Sequence, residues 1–162
     1  MSQLFERLLV QTGRLNYVWT NTESVLIHFM AGLLDTDKEN ATIVFLTLNT
    51  TRARLDLVER LAKRGEVRTA EERDAILDCT QQLARISRIR NLYNHCIYSF
   101  DRESGGVQTI LMRIADRKTD IRMGRAEEVN EDRLRGIEAA ISDLAALNGR
   151  MWDVVRRFGY PV

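Results

Sequence analysis

The chain has 162 residues, with 24 Lys and Arg against 23 Asp and Glu, 44% hydrophobic residues and 29% charged. That length suits one helical domain, residues 1–162, with a core of its own. The composition excludes a disordered chain, a collagen-like repeat and a disulfide scaffold. A formal net charge of +1 excludes a globally basic nucleic-acid coat, though not a local basic patch. Glu6 and Arg7 break the first apolar stretch, so Met1 to Gly13 does not read as a signal peptide. Val25 to Leu34 is interrupted by His28 and is too short to span a bilayer, so no membrane partner is expected. Cys79 and Cys96 are the only cysteines, and on one predicted helix they lie too far apart to pair. A reducing, cytoplasmic setting is the expectation.

In chain order, the first predicted helix runs from about Ser2 to Leu34, with Phe5, Leu8, Leu9, Leu15, Val18, Trp19, Leu26 and Phe29 at helical spacing. Gly13 and Asn21-Thr22 are places where it can bend. Asp35-Thr36-Asp37 reads as a turn and N-cap. A second helix runs from Lys38 to Arg64, with Ile43, Leu46, Leu48, Leu55, Val58 and Leu61 expected inward. Thr47 to Thr51 is poor in helix formers and predicts a kink. Gly65 reads as the C-cap. Thr69 and Glu72 form a capping-box signature that opens a third helix, Ala70 to Phe100. Gly105-Gly106 ends it. Val107–Ala115 and Asp120–Gly124 alternate like strands around an Asp116–Thr119 turn, predicting an inserted β-hairpin. A fourth helix, Glu131 to Phe158, carries Ile137, Ile141, Leu144, Leu147, Met151 and Val155, and Pro161 lies beyond its end. The expected class is all-α: an up-and-down bundle of four to five helices with a small β-hairpin, about residues 107–124, before the last helix.

One segment carries chemistry-bearing residues, Arg88 to Arg102. On a continuous helix, Ile76, Cys79, Leu83, Ile86, Tyr93, Ile97 and Phe100 make an apolar stripe with Arg90 in its midst. A buried guanidinium costs several kcal/mol unless paired. Arg90 therefore needs an acid, such as Glu6 or Glu23, a row of carbonyls, or an anion. A second stripe holds Arg88, Asn91, His95, Tyr98, Ser99 and Arg102, side chains able to move protons and hold phosphate.

Arg90-Asn91-Leu92-Tyr93-Asn94-His95 resembles the motif of the HEPN superfamily, an Arg, often a polar residue, and a His four to six residues on, borne on a late helix. Arg88 also fits that spacing to His95. In toxin members a Tyr often follows two residues after the His; here that place is Ile97, and the Tyr is Tyr98. The family comprises small helical bundles, often dimers, many of them metal-independent ribonucleases of toxin–antitoxin and defence systems. The resemblance implies a homodimeric endoribonuclease that uses no metal or other cofactor, with RNA as substrate and an antitoxin protein as partner. Arg90, Asn91 and His95 would be catalytic: His95 as general base on a ribose 2′-OH or acid to the leaving oxygen, Arg90 stabilising the phosphorane charge, and Asn91 orienting. Arg88, Asn94, Tyr98 and Arg102 would contact substrate. Arg90 and His95 stand about 140° apart around an ideal helix. A distorted helix end or two protomers sharing one cleft would resolve this, and the resemblance implies the second.

The alternative is a non-catalytic dimeric interaction module that binds a protein or RNA partner and in which Arg90 and His95 are structural. Trp19, Tyr93, Phe100 and Trp152 read as core aromatics, and His28, between Ile27 and Phe29, as a satisfied half-buried histidine. Arg113, Arg117, Lys118, Arg122 and Arg125 give the hairpin a basic character that fits either an RNA contact or a solvated face. Arg52, Arg54, Arg60, Lys63 and Arg64 alternate with acids as on a solvated helix. No Cys/His/Asp cluster has metal-ligand spacing, and no Gly-rich phosphate loop or nucleophile elbow is present.

Overall fold

Apolar residues spaced three and four apart bury a stripe only on a helix, and the chain is mostly helical. The computed structural model describes residues 3–64, 69–101, 106–112, 114–124 and 126–162. Its helices are α1 (Gln3–Ser24), α2 (Leu26–Leu33), α3 (Lys38–Thr47), α4 (Thr51–Ala62), α5 (Ala70–Asn94) and α6 (Glu131–Arg157). Between α5 and α6 lie β1 (Cys96–Phe100), β2 (Val107–Leu111), β3 (Ile114–Asp116), β4 (Ile121–Met123) and β5 (Ala126–Glu128). The architecture is that of an all-α protein with a small antiparallel β insertion before the last helix, as the sequence predicts.

The helix starts follow local chemistry. Asp37 caps α3 by accepting from Asn40 N at 2.7 Å, and Thr50 caps α4 by accepting from Ala53 N at 3.1 Å. Thr69 accepts from Glu72 N at 3.1 Å, and Asn130 from Arg133 N at 3.1 Å. Each satisfies an N–H that the helix leaves unpaired. The first expected helix divides at Val25, which separates α1 from α2. The kink expected at Thr47–Thr51 is a full break, with Leu48 extended and Thr50 opening α4. Gly65, expected as a C-cap, lies outside the described residues.

The chain divides into two compact units. One comprises Val18–Ile86 and Ser142–Val162. Its core holds Trp19, Leu26, Phe29, Met30, Ile76, Leu83, Leu144, Leu147 and Met151, all essentially inaccessible to water. Ile43 and Leu46, expected inward, are 61% and 65% exposed; Ala41 and Phe45 are the α3 residues that turn in. Glu23 is buried yet fully engaged: Trp19 Nε1 donates to it at 3.2 Å, Thr51 Oγ1 at 2.6 Å, and Arg54 pairs with it at 3.2 Å. Arg54 also lies 3.9 Å over the Phe45 ring. Arg54 is thus taken out of the solvated face on which the charge alternation placed it, and Glu23 is an arginine's partner, but that of Arg54. His28 is the expected satisfied histidine, with Nδ1 2.7 Å from Pro161 O and its ring against Trp152. The carboxy-terminal Tyr160 donates to the buried Glu72 and packs its ring on Gly32.

The other unit comprises Met1–Tyr17 and Ser87–Ile141. Leu8, Leu15, Tyr93, Val107, Val129, Leu134 and Ile137 form its core. β2 is central, antiparallel to β1 on one side and β5 on the other, with Tyr98 opposite Thr109 and Thr109 opposite Glu127. β3 and β4 form a separate hairpin, closed by Arg117 N donating to Asp120 O at 2.9 Å. The expected hairpin is therefore shorter than its alternation implied: Val107–Leu111 pairs with two other strands. The larger correction concerns the third helix. It ends at Asn94, and Cys96–Phe100 is a strand. The helical stripe through Ile97 and Phe100 does not exist; both are exposed, by 48% and 40%.

Gly32 and Gly149 offer a direct check of the packing. A Cβ on Gly32 would collide with the Tyr160 ring, whereas one on Gly149 meets nothing within 4 Å. We predict that Gly32→Ala lowers stability by about 1–3 kcal/mol in urea denaturation. Gly149→Ala, at an exposed position inside α6, should raise it by up to about 1 kcal/mol.

Candidate functional site

The site forms where α5 hands over to β1. His95 is the pivot. Its N–H still donates to Asn91 O at 3.1 Å, in the helical pattern, while its carbonyl accepts from Met112 N at 3.0 Å, in the sheet pattern. The carbonyls of the last helical turn need partners. Tyr93 O receives two: Tyr98 Oη at 2.7 Å and Cys96 Sγ at 3.5 Å. The strand thus folds back under the helix end and caps it.

Residues 88, 91 and 95 recur at three- and four-residue steps and so share one face of α5. Arg88, Asn91 and His95 line an open groove of about 470 Å³, together with Leu92 and, from the end of β2, Leu111 and Met112. All three polar residues are exposed. α5 and its end contribute Arg88, Asn91, Leu92 and His95 to the groove, and the end of β2 contributes the apolar Leu111 and Met112.

Arg90 points elsewhere. It is half-buried, and Nη1 donates to Asn91 Oδ1 at 3.0 Å. The Asn94 amide orientation that satisfies its neighbours turns Oδ1 to Arg90, accepting from Nε at 2.8 Å and Nη2 at 3.3 Å. Its nitrogen then donates to Asn16 Oδ1 at 3.0 Å. The amide oxygens of Asn91 and Asn94 thus accept from Arg90. It fixes Asn91 from behind the groove.

The structure thus brings together Arg88, Asn91 and His95, and connects Arg90 and Asn94 to them through Asn91. It does not bring Tyr98 to the groove. Tyr98 is half-buried with its hydroxyl on Tyr93 O, and burial pushes its phenol well above the usual tyrosine range. Arg102 lies outside the described residues, as do Arg113 and Arg125; Arg117, Lys118 and Arg122 of the β3–β4 hairpin are exposed. Leu111 and Met112 are groove residues that the sequence reading missed. The strand expected over Val107–Ala115 put both in mid-strand; β2 ends at Leu111, and that end lies beside His95. Among the described residues, no group of three or more His, Cys, Asp or Glu side chains is placed to hold a metal ion. No described helix is long and apolar enough to cross a membrane.

Comparison with protein-family models, with curated proteins and with solved structures finds no match for this chain.

Cys79 is no rival nucleophile in this arrangement. Cys79 is buried, and burial, reinforced by Asp78, pushes its thiol up to about 11. The native state keeps a proton that the unfolded chain releases near pH 9. Cys79 therefore contributes stability below pH 9 that is lost as pH rises towards 11. A thiol reagent at pH 8 is expected to leave Cys79 unmodified in the native protein and to label it on unfolding. Urea titrations at pH 8 and 10 on wild type and Cys79→Ala should show a smaller pH-dependent loss in the variant.

Proposed function

We propose that this protein is a HEPN-like, metal-independent endoribonuclease in which His95 transfers the proton. The observation that carries the reading is the convergence of Arg88, Asn91 and His95 on one open groove at a helix end. His95 is exposed and free to act as general base on a ribose 2′-OH, or as acid to the leaving oxygen. Because Arg88 rather than Arg90 lines the groove beside it, we assign Arg88 to the phosphate charge. Arg90 becomes a positioning residue, acting through Asn91. Metal independence, a homodimeric state, and a toxin or defence role with an antitoxin partner come from the resemblance. With Arg88 beside His95, one protomer supplies both a cation and a proton carrier.

A second reading is favoured by one observation. Arg90, Asn91, Asn94 and Asn16 form the kind of amide network that holds a structural arginine. On that reading the protein is a non-catalytic helical module that binds a protein or RNA partner.

RNA incubated in EDTA with wild type, His95→Ala and Arg90→Ala separates the two. The ribonuclease reading expects cleavage by wild type and a loss of about 100-fold or more in His95→Ala. The melting temperature of that variant should move by less than about 2 °C, because His95 is exposed. Arg90→Ala should lower it by several degrees, since it strips donors from two amide oxygens. Undiminished cleavage by His95→Ala would refute the assignment, and no cleavage by any form would favour the interaction module.

A further inference from the structure

The polar residues of the groove serve the proposed chemistry, but half of its lining does not. Leu92, Leu111 and Met112 are apolar, and Met112 is 66% exposed. Met112 N is committed to His95 O at 3.0 Å, so its main chain is fixed while its side chain stays open to solvent. An exposed methionine beside an arginine and a histidine is poorly suited to water, yet well suited to the flat face of an aromatic ligand: its thioether is polarisable and adapts to a ring. The volume, about 470 Å³, falls in the range of small-molecule sites.

We infer that this apolar lining is a seat for one unstacked nucleobase, with Met112 as the residue that positions it. The inference rests on the ribonuclease reading for its ligand class. A nucleotide carries a planar apolar face and an anionic phosphate, and the groove offers Leu111 and Met112 from the end of β2 together with Arg88 from α5. The base lies on Leu111 and Met112, and Arg88 meets the phosphate. Asn91, its oxygen held by Arg90, keeps its N–H₂ end for the ligand. A base inside a duplex has both faces covered by its neighbours, so only a single strand or an extruded nucleotide can use the seat.

The test measures binding rather than cleavage, with the full chain carrying His95→Ala. The probes are a fluorescein-labelled RNA of roughly ten mixed-sequence nucleotides, the same RNA annealed to its complement, and an abasic version of the same length. The single strand should bind at least about tenfold tighter than the duplex or the abasic strand. Adding Met112→Asp should weaken single-strand binding about tenfold, while Met112→Leu retains it. Met112 is exposed, so both variants should keep the parent's melting temperature. Equal binding by Met112→Asp and its parent, equal binding of duplex and single strand, or no binding of any probe would overturn the inference. Cleavage by wild type with Met112-insensitive binding removes the base seat and leaves the ribonuclease. Met112-dependent binding with no cleavage by wild type removes the ribonuclease and leaves the seat.

Discussion

The main chain of His95 belongs to two hydrogen-bond systems at once. Its N–H closes the last turn of α5 on Asn91 O, and its carbonyl accepts the Met112 N–H where β1 and β2 begin to pair. A helix and an antiparallel ladder have different side-chain periods, 3.6 and 2, so a junction between them redirects every residue that follows. Upstream, Arg88, Asn91 and His95 keep the helical face. Downstream, Tyr98 turns inward and its hydroxyl caps Tyr93 O. The ladder partner delivers Leu111 and Met112 beside His95. The groove is a consequence of that junction.

The same junction sorts the two arginines. On a helix, positions 88 and 90 are about 200° apart, so only one can share a face with His95. Arg88 does. Arg90 meets Asn94 and Asn91, and through Asn94 the side chain of Asn16 on α1. Each amide oxygen that accepts from the guanidinium offsets part of the desolvation penalty it carries at half-burial. It also holds Asn91 in one orientation, which makes Arg90 part of the groove's construction without lining it.

Much of this was legible in the sequence. The caps at Asp37 and Thr69 follow from residue type and position, and the α6 stripe from helical spacing. So did the face that joins Arg88, Asn91 and His95, since three- and four-residue steps suffice. The end of α5 was not legible, for a physical reason. Tyr93, Ile97 and Phe100 are spaced i, i+4 and i+7, which suits a helix, while Cys96-Ile97-Tyr98-Ser99-Phe100 is equally a run of strand formers. Local pattern is degenerate there, and the tie is broken by antiparallel pairing with the next strand, Val107–Leu111, which the segment's own pattern does not contain. Ile43 and Leu46 misled for a related reason: apolar type allows burial but does not compel it. Glu23 and Arg54 lie 31 positions apart in sequence, and nothing local pairs them.

On the proposed reading, one face of α5 and the end of β2 form the ligand groove, and Arg90 supports it through Asn91. The most direct measurement is an NMR titration of the ¹³C- and ¹⁵N-labelled protein with a 2′-O-methyl RNA dinucleotide, which lacks the attacking hydroxyl and stays intact. Shifts should concentrate on the side chains of Arg88, Asn91 and His95 and on the methyl groups of Leu92, Leu111 and Met112, with Asn16 little changed. Shifts centred on Asn16 and Asn94, or on the β3–β4 hairpin alone, would contradict it.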